Sequence, residues 1–304
     1  MKVFLTGATG YIGGSVAAGL IAAGHQVRGL VRSSERAEDL RARGIEPLIG
    51  SLDDSALLAE AAHEAEAVVN AANADHRAAA EAMLTALAGS GKPFLHTSGS
   101  SIVGTRAKGE ATDAIFDETT PFEPSPARAA RVALNRDILA AAENGVRTVI
   151  VCPSLIYGLG RGLAPHSMQV PWLIMLARKQ GVAKHIGPGS NVWSHVHIDD
   201  LVDLYLLTLD KAPPGAFYFA EHGEASMREV CQAINRLLGI AGEPQSMTLE
   251  EAATEWGEGP ANDTMASNSR VRAIRARREL GWTPKGPPLL EEIETGCYAR
   301  ASPP

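Results

Sequence analysis

Gly7-Ala8-Thr9-Gly10-Tyr11-Ile12-Gly13 stands directly behind the apolar run Val3-Phe4-Leu5-Thr6 and ahead of an amphipathic stretch carrying Ile12, Val16 and Leu20. A strand feeds a glycine-rich turn, and the turn feeds a helix. The unpaired N–H groups and positive dipole end of such a helix hold a pyrophosphate. Ala17 and Gly19 are small enough for close helix–sheet packing. Three spaced glycines are a weak signal alone; the strand before them and the helix after them make it strong. The pattern predicts an α/β fold, a doubly wound parallel (Rossmann) sheet that binds a dinucleotide at its first turn.

The rest of the first half repeats the alternation. Apolar, β-rich runs fall at Val3–Thr6, Gln26–Val31, Ile45–Ile49, Ala67–Ala71, Phe94–Thr97 and Arg147–Pro153. Helical patterns lie between them at 11–23, 34–43, 54–65, 74–89 and 127–143, several closed by a glycine such as Gly24, Gly44, Gly91 or Gly145. Six strands joined by such crossovers fit a sheet covered on both faces. Past Pro153 the alternation becomes irregular, and glycine, proline and isolated aromatics are common. Ser226–Glu229 and Thr248–Glu251 read as capping boxes. The expected organisation is a dinucleotide-binding domain over 1–154, with 193–218 returning to it. A smaller C-terminal substrate lobe is expected from 155–192 and 219–304, with 301–304 frayed.

With 304 residues, 45% apolar and 21% charged, the chain has the composition of a globular protein. A net charge of −7 argues against non-specific nucleic-acid binding and against a basic membrane face. Cys152, Cys231 and Cys297 are widely separated and form no C-x-x-C, so neither a disulfide framework nor a zinc site is implied. The first strand starts too early for a signal peptide, and no apolar run reaches membrane-spanning length, which makes the cytoplasm the expected compartment.

Several segments resemble the extended short-chain dehydrogenase/reductase superfamily, which contains NAD-dependent epimerases and dehydratases. Gly7–Gly13 is similar to its glycine fingerprint, Ser51–Asp54 to its adenine-side acidic segment and Val68–Ala72 to its fourth-strand segment. His96–Gly104 looks like the serine-rich loop after strand five, and Cys152–Gly158 like the turn beside the nicotinamide. Val196–Leu201 and Glu279–Pro284 resemble C-terminal landmarks. The resemblance implies a cofactor track over Gly7, Thr9, Gly10, Tyr11, Ile12, Gly13, Leu52, Asp53, Ala71, Ala72, Asn73, Thr97, Pro153, Ser154 and Leu155. It also implies a small-molecule substrate, and it allows a homodimer through the helices after strands four and five.

The chain departs from that family in its chemistry. The usual enzymes carry Tyr-x-x-x-Lys on the fifth helix, where tyrosine is the acid/base and lysine lowers its pKa. Laid on that helix, the pattern puts Arg128 at the tyrosine position and Val132 at the lysine position, and no tyrosine occurs between Tyr11 and Tyr157.

At the tip of the second strand, where an NAD site normally presents a carboxylate, stand Arg32 and Ser33. A guanidinium there, with Ser33 and Arg36 as further donors, suits a 2′-phosphate, so NADP(H) is the expected cofactor and NAD(H) the alternative. Arg32 can equally stack on adenine. Asp53 reads as the cap of the third helix.

For catalysis, Ser98 and Ser100 lie at a strand's carboxyl end, where open α/β sheets bind ligands; the other role for such serines is to satisfy backbone groups of a tight loop. Arg128 can stabilise an oxyanion or clamp a substrate carboxylate, or it is one more solvated arginine beside Arg131 and Arg136. Tyr157 either packs or replaces the missing proton donor. His195 and His197 share one strand face without a third ligand nearby, so no metal is expected. Arg270–Arg278 reads as a solvated helix face.

The function these readings favour is an atypical NADP(H)-dependent oxidoreductase that reduces a carbonyl of a small or medium organic substrate. Two alternatives stand beside it. One is an NADP(H)-sensing regulator without turnover; the other is an isomerase, dehydratase, epimerase or oxygen-using enzyme on the same fold.

Overall fold

A computed structural model describes residues 1–300; the end expected to fray, 301–304, lies outside the described residues. The first strand, β1 (Lys2–Thr6), is buried at every position after Lys2, as a strand covered on both faces must be. After the glycine turn comes α1 (Tyr11–Ala22). The chain then alternates regularly: β2 (Gln26–Val31), α2 (Ser34–Arg41), β3 (Glu46–Ile49), α3 (Ser55–Glu64), β4 (Ala67–Asn70), α4 (Arg77–Leu87), β5 (Pro93–Thr97) and α5 (Ala129–Ala140). Arg147–Pro153 follows as a sixth strand and Ala216–Ala220 as a seventh, one more than the sequence pattern predicts. The seven pair in parallel in the order Ala216–Ala220, Arg147–Pro153, β5, β4, β1, β2, β3. This is the doubly wound order, with the reversal beside β1 that opens a crevice at the strands' carboxyl ends.

Local chemistry sets the helix boundaries. Ser33 caps α2 by accepting from Arg36 N at 3.4 Å. Asp54, not the expected Asp53, caps α3 by accepting from Leu57 N at 3.0 Å; Asp53 is exposed and faces His76 Nε2 at 3.1 Å. An Asn73 side-chain turn onto Asp75 N (2.9 Å) delays α4 to Arg77. Both capping boxes, Ser226/Glu229 and Thr248/Glu251, are formed. Helix α1 carries small residues where it meets its neighbour: a Cβ on Gly19 would lie 2.3 Å from Val202 Cγ1 of the helix Ile198–Lys211.

A second sheet of three strands, Glu224–Ser226, Val192–His197 and Leu155–Tyr157, stands beside the first. Its apolar cluster includes Leu155, Val170, Trp193, Met227, Ile234 and Ile293. Val271, Ala273, Ala276, Leu280 and Trp282 pack instead with the cluster of the large sheet, although they fall in the stretch assigned to the C-terminal lobe. Asp200 anchors them: its carbonyl accepts from Trp282 Nε1 at 2.9 Å, and its carboxylate from Lys285 N at 2.7 Å and Gly286 N at 2.9 Å.

The arginines of 270–278 are not a solvated face. Arg270 and Arg272 pair with Glu224, Arg275 with Glu279, and Arg277 with the buried Glu221. Only Ile274–Leu280 is helical. Among the described residues no helix is long and apolar enough to cross a membrane.

Candidate functional site

The glycine turn is a backbone-to-backbone joint. Gly7 has φ +82°, and a Cβ there would lie 2.7 Å from Ala71 O at the end of β4. A Cβ on Gly13 would lie 2.2 Å from Gly7 O, which accepts from Gly10 N at 2.9 Å. Thr6 Oγ1 donates to Asn70 Oδ1 (2.7 Å) and accepts from Ala71 N (3.1 Å) and Ala72 N (3.3 Å), locking the ends of β1 and β4 together. The first bond of α1 runs from Gly14 N to Gly10 O, and no side chain caps the helix. The N–H groups of Tyr11, Ile12 and Gly13 therefore remain for a ligand, the arrangement a diphosphate requires.

These groups open into a cleft of about 590 Å³ at the carboxyl edge of the sheet. Its floor is Gly10–Gly13 with Ala71 and Ala72; one wall is Ser98–Ser101 with Arg128 and Arg131; the other is Pro153, Ser154 and Ile156. Ala164, His166–Gln169, Trp193 and Thr264 close it from the second sheet's side. Gly7, Thr9, Leu52, Asp53, Asn73 and Leu155 are not among the residues that border the cleft. Another cavity, of about 530 Å³, is lined by Lys2, Gln26, Glu46 and Glu64 at the amino ends of the strands, the edge where this fold does not bind ligands.

Hydrogen bonding separates the candidate groups. Ser98 Oγ accepts from Asn135 Nδ2 at 2.9 Å. Ser269 Oγ donates to Ser100 O at 2.9 Å, so the Ser100 hydroxyl donates to Ser269 Oγ at 2.8 Å and is committed to the loop. Ser101 borders the same cleft, and its hydroxyl has no partner among the described residues. Thr97, expected on the cofactor track, instead hydrogen-bonds Tyr205 Oη in the core at 2.6 Å. His96, directly before it, is fully buried with Nδ1 3.1 Å from Asn70 Nδ2, and burial lowers its pKa to about 4.

Arg128 and Arg131 differ sharply. Arg131 grips both oxygens of Asp75, Nε to Oδ1 at 2.7 Å, and holds that carboxyl below its usual pKa. Arg128 is the N-cap residue of α5 rather than a residue inside it. Its guanidinium has no hydrogen-bond or ion-pair partner among the described residues, and its Nε is buried. Burial, then the neighbouring Arg131, pulls its pKa down. Val132, at the family's lysine position, is buried in the core.

Tyr157 does not reach the cleft. Its ring packs edge-on to His195 and His197, each with centroids 5.3 Å away, and its hydroxyl donates to Pro287 O at 2.6 Å. Burial raises its pKa, so the expectation of a replacement proton donor there is corrected. Tyr11 does border the cleft, and its hydroxyl donates to Gly158 O at 2.9 Å. Trp193 and Thr264 were not anticipated; they come from segments remote in sequence, with no local motif to mark them.

The NAD dependent epimerase/dehydratase family model matches residues 3–218. The chain is 33% identical to "Oxidase ucsJ" of Acremonium sp., over 96% of this chain and 95% of that one. It is 27% identical to the 4-hydroxy-2-methyl-3-oxo-4-farnesyl-3,4-dihydroquinoline-1-oxide ketoreductase of Stigmatella aurantiaca, over 93% and 92%. Among solved structures it matches the dTDP-glucose 4,6-dehydratase of Bacillus anthracis in complex with NAD. There the TM-score is 0.77 at 18% identity, covering 99% of this chain and 96% of that chain.

The NADP(H) preference drawn from Arg32 is corrected by these findings. Six of the solved structures that the chain resembles are described as complexes with NAD. Locally, Arg36, one of the donors expected for a 2′-phosphate, pairs with Asp39 at 3.4 Å. Arg32 and the Ser33 hydroxyl, whose Oγ accepts from Arg36 N, are left without that third donor.

Proposed function

The chain is an enzyme of the NAD dependent epimerase/dehydratase family, and on that premise we propose that it binds NAD(H) along Gly7–Gly13. In this reading it isomerises, epimerises or dehydrates a small organic molecule in the cleft between Ser98–Ser101 and Trp193. The observation that carries the reading is the convergence, in one cleft, of the uncapped α1 N-terminus, an uncommitted Ser101 hydroxyl and an unpaired Arg128. Bound NAD(H) supplies a hydride acceptor and donor that can be regenerated within one turnover.

The chain's own residues bind, orient and stabilise charge. The N–H groups of Tyr11, Ile12 and Gly13 take the diphosphate, with Ala71, Ala72, Pro153 and Ser154 along its course. Arg32 lies exposed at the tip of β2, where a guanidinium stacks on adenine. Ser98, fixed by Asn135, and Ser101 offer hydroxyls to a substrate oxygen. Arg128 stabilises negative charge without readily giving up a proton. A positioned acid contributes roughly 10²–10⁴-fold in rate, and His166 is the imidazole that borders this cleft.

A second reading, net oxidation or reduction, is favoured by the likeness to an oxidase and a ketoreductase. Anaerobic incubation with NAD(H) and a panel of hydroxy and oxo compounds separates the two. An isomer or dehydration product without lasting change in nicotinamide absorbance supports the first. Stoichiometric conversion of the cofactor replaces it with the second, and failure of NAD(H) to bind removes both.

A further inference from the structure

The charges around the cleft are answered within the chain, with one exception. Asp75 holds Arg131, Asp263 holds Arg106, and Asp199 holds Arg161. Farther into the second lobe, Glu224 takes Arg270 and Arg272, Glu221 takes Arg277, and Arg228 donates to Pro188 O. Arg128 borders the cleft half-buried and unpaired, with its Nε sealed from solvent and no acceptor within reach among the described residues. A half-buried guanidinium whose nearby carboxylates, Asp75 and Asp263, are each hydrogen-bonded to another arginine leaves one positive charge for a ligand to answer.

We propose that the cleft is built for a small monocarboxylate, a hydroxy or oxo acid whose carboxylate pairs with Arg128 while its apolar part lies against Ile156, Met168 and Trp193. This rests on the functional reading above and names its substrate class. One uncompensated cation matches one negative charge. A diphosphate would require at least two, and Arg131 is already saturated by Asp75. The planar guanidinium presents paired donors at carboxylate spacing, and the Ser101 hydroxyl, which borders the same cleft, provides a further donor. Ile156, Met168 and Trp193 offer apolar and aromatic surface for a short carbon skeleton, and His166, Ser167, Gln169 and Thr264 offer polar groups for its hydroxy or oxo substituent.

The test titrates the NADH-loaded protein with benzoylformate and 2-oxobutyrate, with their methyl esters as neutral counterparts, and with UDP as the diphosphate arm. The acids are expected to bind the wild-type protein about tenfold or more tighter than the esters, as loss of a charge-assisted pair implies. Arg128→Gln should abolish that preference while NADH affinity stays within about twofold. Arg128→Lys, which keeps the charge without the fork, should restore part of it. Equal binding of acid and ester by the wild type overturns the proposal, as does a preference that survives Arg128→Gln, or Arg128-dependent binding of UDP alone. If NADH itself does not bind, the cofactor reading fails separately. The same acid–ester comparison on the unloaded protein then decides the carboxylate site, with a preference lost in Arg128→Gln supporting it and no preference overturning it.

Discussion

Gly13→Ala and Gly10→Ala differ by one methyl group at neighbouring points of the same turn, and the structure assigns them opposite consequences. At Gly13 the new Cβ would lie 2.2 Å from Gly7 O and 2.7 Å from Gly7 C. Both are backbone atoms of a residue that cannot retreat, because the Gly7 Cβ direction already faces Ala71 O at 2.7 Å. Helix α1 must therefore lift off the turn. Overpacking of this kind costs about 1–3 kcal/mol, and contact with fixed backbone puts this case at the upper end. At the 2–4 °C per kcal/mol typical of chains somewhat smaller than this one, melting should fall by roughly 5 °C or more. NAD affinity should fall at least about tenfold, because the N–H groups of Tyr11 and Ile12 move with the helix. At Gly10 the nearest atom is the same oxygen at 3.3 Å, a contact that a shift of a few tenths of an ångström relieves. Gly10 borders the cleft, so its methyl group occupies ligand space instead. Gly10→Ala should melt within about 2 °C of wild type and still bind NAD more weakly. Circular-dichroism melts and calorimetric titration with NAD read the two effects separately. Equal melting of Gly13→Ala and wild type, or equal destabilisation by the two variants, would refute the reasoning.

Tyr157→Phe removes only the hydrogen bond to Pro287 O; it should cost about 1 kcal/mol of stability and leave turnover within about threefold. A loss of turnover by orders of magnitude would restore Tyr157 as a proton donor. Arg32→Ala should change NAD affinity by less than about fivefold, since its exposed side chain offers at most stacking; a larger loss in calorimetry would contradict this. Burial lowers the pKa of both His96 and His195 to about 4. Above the ordinary value of about 6.5 both are neutral whether folded or not. As pH falls from there to about 4, the unfolded chain takes up protons that the folded chain refuses. Stability on the order of 3 kcal/mol per histidine is therefore lost across that window. Urea midpoints at pH 7 and pH 5 measure it, and His96→Gln should flatten the slope; an unchanged slope would count against the assignment.

What could be read from the sequence is what short-range chemistry dictates. The run from β1 to α1 was legible because each glycine answers a local need, and the capping boxes were legible because three residues suffice to form one. Errors arose where one residue decides between equivalent neighbours. Asp53 and Asp54 are chemically identical, and only the backbone course into α3 selects the second as its cap. Arg128 was expected within a helix, but the Ser125 carbonyl accepts from Arg128 N and Ala129 N and starts the helix one residue later. The candidate site depended on pairings with no local signature. Ser100 is committed by Ser269, 169 residues farther along, and Ser98 is held in place by Asn135, from which its Oγ accepts. The arginines of 270–278 carry no local sign of pairing because Glu221 and Glu224, which hold three of them, lie where Ala216–Ala220 turns into Glu224–Ser226, remote in sequence.

The loss of the family's tyrosine and lysine makes physical sense as a single change. A lysine depresses a neighbouring phenol's pKa, so a tyrosine without it is a poor base near neutral pH. With Val132 buried in the core, an ammonium at that position would have to be desolvated among apolar side chains. Arg128 in the tyrosine's place then carries a permanent charge that needs no tuning. The tyrosines that remain nearby do not compensate. Tyr11 and Tyr157 both donate to backbone carbonyls, and burial raises the pKa of both. A phenolate therefore plays no part near neutral pH, and the proton-carrying groups bordering the cleft are serine and threonine hydroxyls and the His166 imidazole, beside water and the substrate. In the phenol's place the site sets a fixed cation, Arg128, and any proton transfer falls to a different side chain of the same cleft, with His166 the imidazole that borders it.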